Sequence, residues 1–222
     1  MPHFKINAKD LFFILKDQLN YGSLCELPRY RDLSEKALDL MVNEAINFGR
    51  KVVDPLQEIG DHDPPRYQNG IVTCRPEFAD AFRRYGENGW IAVARNTTYG
   101  GQGFPHMMRI VVNDIMYGSC HAFNTAPSLT HGAAHLIETF AADDLKKLYV
   151  PRCYGGQWSG TMCLTEPDAG SNLANIQTTA FREGDHFKIK GNKIFISWGE
   201  HDLTENIIHL VLARIDGAPQ GV

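Results

Sequence analysis

Cysteine is scarce in this 222-residue chain, and the five that occur form no pattern. Cys25, Cys74, Cys120, Cys153 and Cys163 are far apart and odd in number. That excludes a disulfide framework and a paired-cysteine metal site, and it fits a reducing, cytoplasmic setting. A basic excess is also missing. Lys and Arg total 22 against 26 Asp and Glu, for a net charge of −4. Without a basic stripe, nucleic acid is not an expected partner. The apolar run Leu11-Phe12-Phe13-Ile14-Leu15 is bounded by Asp10 and Lys16. It falls well short of the roughly 20 residues a membrane span needs, and no signal peptide is expected. No Gly-x-Ser-x-Gly elbow supports hydrolase chemistry. No repeat or low-complexity tract appears.

Three groupings look like chemistry and read better as structure. Tyr99-Gly100-Gly101-Gln102-Gly103 has no strand before it and no Lys-Ser/Thr after it, so it is a turn rather than a phosphate loop. His131 and His135 are four apart, but Gly132 stands where a zinc protease has Glu and no third ligand is in view. They read as packed or surface histidines, with no metal. Glu200-His201-Asp202 reads as a polar loop.

What is present is a helical period followed by a strand period. Residues 10–20 put Leu11, Phe12, Leu15 and Leu19 on one face, with Gly22 ending the turn. Ser34 is placed to cap a helix carrying Leu38, Met41, Val42, Ala45, Ile46 and Val53, and Pro55 should kink or end it. Residues 61–69 read as loop. Pro76 should open a helix and Gly86 close it. Residues 107–120 read as a buried helix and 132–141 as another. Asp143 or Asp144 should cap a short one before Pro151. From Trp158 the period becomes 2. Strands are expected over 158–166, 178–182, 186–190, 193–197 and 207–214, with Glu183-Gly184-Asp185 as a hairpin turn. The order implies an α+β chain with a boundary near Pro151.

The chain centres on Met162-Cys163-Leu164-Thr165-Glu166-Pro167-Asp168-Ala169-Gly170-Ser171. Pro167 stops the strand by removing an N–H and fixing φ. The strand end then offers backbone donors beside two hydroxyls, Thr165 and Ser171. That suits the edge of a flat polar ring, with a pyrophosphate over the small-residue turn. Alone, its spacing favours an ordinary strand-to-turn exit.

A second stretch, Lys190-Gly191-Asn192-Lys193-Ile194-Phe195-Ile196-Ser197, follows one hairpin later. With residues 160–167, Ala169-Gly170-Ser171 and the Tyr99–Gly103 run, it resembles the acyl-CoA dehydrogenase family. The segment around Gly199-Glu200-His201-Asp202-Leu203 looks like a larger bacterial subgroup, which includes enzymes acting on methylthio-acyl-CoA thioesters. The resemblance implies an N-terminal all-α helical domain, residues 1–152, and the start of an antiparallel middle β domain, residues 153–222. The family's C-terminal helical bundle is absent and is expected beyond Val222.

The resemblance also implies flavin-dependent α,β-dehydrogenation of an acyl-CoA thioester in fatty acid metabolism. FAD is the implied cofactor. An electron-transfer flavoprotein is the implied acceptor, and a homo-oligomer the implied assembly. Met162, Leu164, Thr165, Gly170, Ser171, Phe195, Ile196 and Ser197 are the implied cofactor contacts. Ser171 is also an implied substrate contact. No catalytic residue is expected in this chain, because the family's catalytic Glu belongs to the C-terminal domain; Glu166 is expected to be structural. Alone, the chain is expected to be inactive, with FAD absent or weakly held. A non-catalytic flavin- or acyl-CoA-binding module, or an interaction module, is the alternative. Several positions depart from the family pattern. Phe195 replaces a common Trp, Ser197 a common Thr and Asn172 a common Asp. Arg95-Asn96-Thr97-Thr98 stands where Pro-Glu-Glu usually precedes the Gly-rich run.

Overall fold

A computed structural model describes residues 4–218. Helix α1 (Ala8–Phe13) is capped by Asn7, whose side chain accepts from the Lys9 N–H, and runs into a π-helical turn at Ile14–Gln18. Asn20, not Gly22, ends this unit by adopting a left-handed φ of 46°. Ser34 caps α2 (Glu35–Phe48) by accepting from the Ala37 N–H at 3.3 Å. Pro55 does not end the helical path. A π turn at Gly49–Val53 carries α2 into α3 (Pro55–His62), where Pro55 takes the first helical position.

The stretch expected as loop, 61–69, holds strand β1 (Arg66–Gln68), which forms a hairpin with β2 (Ile71–Thr73) just beyond it. Its two-residue turn is Asn69-Gly70, with φ of 53° and 85°. Two positive φ values match the twist of an antiparallel pair, and Asn-Gly supplies them cheaply. Helix α4 (Pro76–Glu87) runs one residue past Gly86. Gly86 is there for close approach, because a Cβ would meet the Gly155 carbonyl oxygen at 2.5 Å.

Helices α5 (His106–Ser119) and α6 (His121–Phe140) are separated by Cys120 alone, in an extended conformation. Helix α6 begins eleven residues before Gly132 and carries Pro127 in its interior. Burial of Phe123, Ala126, Pro127 and Thr130 explains why the helix persists through a residue that weakens isolated helices. Helix α7 (Asp143–Tyr154) also contains its proline, Pro151. Ala142 takes the cap position, and Asp143 and Asp144 fall in the first turn, where carboxylates favour the helix dipole. One core joins these helices, with Tyr21, Leu38, Phe82, Tyr85, Met116, Phe123 and Tyr154 among its fully buried members.

Strand β3 (Trp158–Cys163) lies against α6. A Cβ on Gly160 would meet the Ala133 Cβ at 2.5 Å, and the Gly160 N–H donates to Thr130 Oγ1 at 3.1 Å. Then come β4 (Thr179–Glu183), β5 (His186–Lys190), β6 (Asn206–Val211) and β7 (Arg214–Ile215). The β4–β5 pair is antiparallel, as its Gly184-Asp185 turn requires, with φ of 62° at Gly184. The other two pairings, β3–β6 and β4–β7, are parallel rather than antiparallel. Long connections permit parallel pairing where a tight turn does not. No strand forms over 193–197, because Phe195 has a φ of 57°. The expected strand over 207–214 is divided between β6 and β7.

Candidate functional site at the end of strand β3

Chain direction on β3 sets the two faces. Gly160 meets α6, while Ser159, Thr161 and Cys163 alternate to the other side. There Ser159 Oγ is 3.0 Å from His201 Nε2, and Thr161 Oγ1 is 2.7 Å from His209 Nδ1. The Glu200-His201-Asp202 segment is indeed a loop. His201 also accepts from the Leu203 N–H, and Asp202 from the Cys74 N–H at 2.9 Å.

Past Cys163 the chain leaves the sheet. Met162 is half-buried within β3, and Leu164 and Thr165 are half-buried beyond its end. Glu166 and Ala169 close the Pro167-Asp168 turn with reciprocal backbone bonds of 2.9 and 3.1 Å. Gly170 and Ser171 emerge exposed on the far side, and a Cβ on Gly170 would meet nothing within 4 Å. Asn172 accepts from the Ala174 N–H and so starts a short 3-10 turn, Leu173–Asn175. That gives Asn172 a local role in place of a charge.

The two sequence motifs meet here. The Ile194 N–H donates to the Thr165 carbonyl at 3.0 Å. Lys193 Nζ donates to the Leu164 carbonyl at 2.9 Å and to Glu166 Oε1 at 2.8 Å. Glu166, only 5% exposed, also accepts from the Gln177 N–H at 2.6 Å and the Thr178 N–H at 3.0 Å. Burial alone would raise its pKa. The Gln177 N–H, Lys193 and Thr178 outweigh that and hold it at about 2. Glu166 is therefore an ionised structural group, fully engaged by its neighbours.

Phe195 projects its ring outward, 87% exposed, with Ile196 half-buried and Ser197 exposed beside it. Among the described residues, the Thr165 N–H and the hydroxyls of Thr165, Ser171 and Ser197 have no hydrogen-bond partner. Leu164 and Thr165 are thus brought alongside the 194–197 loop. No hydrogen bond among the described residues ties Gly170 or Ser171 to that loop. Two residues without an expected role complete the arrangement. Lys193 was visible inside the second motif. Trp198 follows it, and its indole N–H donates to Thr125 Oγ1 at 2.7 Å on α6. A cavity of about 730 Å³ opens beside Trp198, Phe78 and Ala122.

The other chemistry-like groupings are structural. In the Gly-rich run, the N–H groups of Gly101, Gln102 and Gly103 donate to the carbonyls of Asn96, Ala92 and Arg95. None is left for a phosphate. His131 is buried, 2.7 Å from the Ile91 carbonyl, and burial pushes its pKa down to about 3. Among the described residues no group of three or more His, Cys, Asp or Glu could hold a metal ion. Nor is any described helix long and apolar enough to cross a membrane.

A helical unit feeding a strand end of this kind defines a class. The acyl-CoA dehydrogenase N-terminal domain model matches residues 39–157, and the acyl-CoA dehydrogenase middle domain model matches residues 161–221. The chain belongs to the acyl-CoA dehydrogenase family. It is similar to a 3-methylmercaptopropionyl-CoA dehydrogenase of Ruegeria pomeroyi, with 33% identity over 220 residues. That match covers 99% of this chain and 37% of the relative. A butyryl-CoA dehydrogenase of Syntrophomonas wolfei is 31% identical over 227 residues, again covering 99% of this chain and 37% of the relative. Among solved structures, a glutaryl-coenzyme A dehydrogenase in complex with glutaryl-CoA matches with a TM-score of 0.65 and 28% identity. That match covers 74% of this chain and 40% of that one. The chain thus spans about 37% of the length of these two curated relatives.

Proposed function

We propose that residues 1–152 and 153–222 are the N-terminal helical domain and the start of the middle domain of an FAD-dependent acyl-CoA dehydrogenase. The observation that carries this reading is the pairing of the Leu164–Thr165 strand end with the 194–197 loop through Ile194 and Lys193. It leaves the Thr165 N–H and the Thr165 and Ser197 hydroxyls without partners among the described residues, on the two segments that carry the exposed Phe195 ring and the strand end. That donor set fits a flat heteroaromatic ring with acceptor atoms on its edge.

The chemistry FAD supplies when bound is hydride acceptance from the thioester's β-carbon. Met162, Leu164 and Thr165 would hold the ring's pyrimidine edge. Donors there favour the negative charge that builds on reduction. Phe195 and Ile196 would cover the ring, and Ser197 would add a hydroxyl. Gly170 and Ser171 would lie by a phosphate, with Ser171 also reaching the CoA moiety. Glu166 is held ionised by Lys193 and two backbone donors, so proton removal from the α-carbon is not assigned to it; the resemblance gives that step to a Glu of the family's C-terminal domain. An acyl-CoA thioester is the proposed substrate and an electron-transferring flavoprotein the proposed acceptor. The first rests on the named substrates of the relatives, the second on the resemblance. A cytoplasmic homo-oligomer serving fatty acid metabolism completes the proposal.

The test is FAD titration and potentiometry on Thr165→Val and Ser197→Ala in the protein that carries this chain. Loss of a hydrogen bond to a charged species should cost about 1.5–3 kcal/mol in binding or in the equivalent potential. Affinity, potential and turnover all unchanged in both variants would remove the assignment.

A further inference from the structure

Phe195 and Trp198 adopt left-handed backbone conformations, φ 57° and 54°, that bulky L-residues avoid. Two such residues within four positions persist only where the surroundings hold them. The surroundings here grip both ends of the loop. At its start, Lys193 Nζ spans the Leu164 carbonyl and Glu166, and the Ile194 N–H reaches the Thr165 carbonyl. At its end, the Trp198 indole N–H is shared between Thr125 Oγ1 at 2.7 Å and the Ala122 carbonyl at 3.2 Å. Its ring also packs beside Phe78 and His201, with centroids 6.5 and 5.7 Å apart. Between the grips, Phe195 is exposed and the Ser197 hydroxyl is without a partner among the described residues. The Gly199 N–H to Ile196 carbonyl bond, 3.0 Å, is local and ties the loop to nothing else.

We propose that Lys193 and Trp198 are positioning residues that clamp the 194–197 loop between the β3 strand end and helix α6, setting how Phe195 and Ser197 meet a flavin. The inference rests on the flavin reading of this site. Neither residue is assigned a contact with the ring. Lys193 fixes the loop against the strand end that carries Thr165. Trp198 fixes it against α6, so that any shift of α6 moves the loop. Cutting either grip frees the loop to abandon its two left-handed residues. The ring's neighbours are then ordered only on binding, at a cost in affinity.

The test uses the protein that carries this chain, with and without FAD, and follows amide hydrogen exchange across residues 193–199. Trp198→Phe keeps an aromatic ring and removes the donor. Lys193→Met leaves Glu166 uncompensated, and the fold can suffer for it. The double variant Lys193→Met/Glu166→Gln removes the stranded charge and keeps the experiment decisive. In the FAD-free protein, exchange over 193–199 should rise about five- to tenfold in Trp198→Phe, the size expected for one lost hydrogen bond, and by at least as much in the double variant, which loses both Lys193 bonds. Exchange in α2 and α5 should not change, and FAD affinity should fall by a similar factor. Unchanged exchange over 193–199 in both variants overturns the clamp. A loosened loop with wild-type FAD affinity overturns the positioning role. Failure of the wild type to bind FAD overturns the flavin reading instead, and the FAD-free exchange still decides the clamp.

Discussion

Phe82 and Phe187 are the same side chain in two kinds of surroundings. Phe82, on α4, is fully buried among other helices. Phe187, on β5, is 47% exposed, and every residue of β5 is exposed with it. The contrast holds region by region. All but one of the buried residues of the main core, Leu203, come from residues 4–157. In the strand region β3, packed on α6, is buried at four of its six positions, but beyond it Ala180 is the one buried residue of β4, and β6 has none. The helical region is held by apolar burial. The strand region is held by ladders and by polar pins, chief among them Glu166 with Lys193. The largest expected effect tests that difference directly. Phe82→Ala should cost about 3–5 kcal/mol in chemical denaturation. Phe187→Ala should cost no more than about 0.5 kcal/mol. Comparable losses would dissolve the distinction.

The polar pin gives the next effect. Glu166 has a folded pKa of about 2, below the ordinary 4.5 for Glu. A depressed carboxylate contributes its stability in full above the unfolded pKa. It loses that contribution as pH falls from about 4.5 through about 2. Glu166→Gln should therefore cost about 1.5–3 kcal/mol at neutral pH, the range for hydrogen bonds to a charged group. The variant should also flatten the acid limb of stability against pH over that window. Exchange protection at Gln177 and Thr178 should drop, while α2 and α5 keep theirs. A cost confined to the helical core would show that the pin does not belong to the strand region.

How much of this was legible in the sequence follows the same divide. Helix faces repeat every 3.6 residues, so Leu38, Met41, Val42, Ala45 and Ile46 identified the buried side of α2 correctly. Helix lengths were harder, because tertiary burial carries α6 and α7 through Pro127 and Pro151. The Asn69-Gly70 turn is a hairpin signal that a reading of residues 61–69 as loop passes over. In the strand region alternation located β3, β4 and β5. It mistook 193–197 for a strand, because Phe195 lies between apolar neighbours yet has positive φ. No local pattern reveals a left-handed aromatic held by contacts 27 and 76 residues away, from Lys193 to Glu166 and from Trp198 to Ala122. The sequence points to a structural Glu166, but nothing local marks Lys193, 27 residues on, as its partner.

The smallest effect compares two turns. Each region has a two-residue hairpin turn carrying a glycine, Gly70 at φ 85° and Gly184 at φ 62°. At neither position would a Cβ meet anything within 4 Å. Crowding is thus removed as a cause, and only backbone conformation remains. Alanine in the left-handed region is disfavoured by about 1–2 kcal/mol. Reduced freedom of the unfolded chain returns about 0.4–1 kcal/mol. Gly70→Ala and Gly184→Ala should then each destabilise by no more than about 1.6 kcal/mol, measured by denaturation. What should differ is where the loss appears. The β1–β2 turn projects from a region whose stability lies in its helical core, so Gly70→Ala should raise amide exchange only around residues 66–73. The β4–β5 pair is part of a sheet with little buried behind it, so Gly184→Ala should raise exchange through β4, β5 and β7 together. Exchange confined to residues 183–186 would mean that the sheet is held more strongly than its exposure implies, and the contrast between the two regions would narrow accordingly.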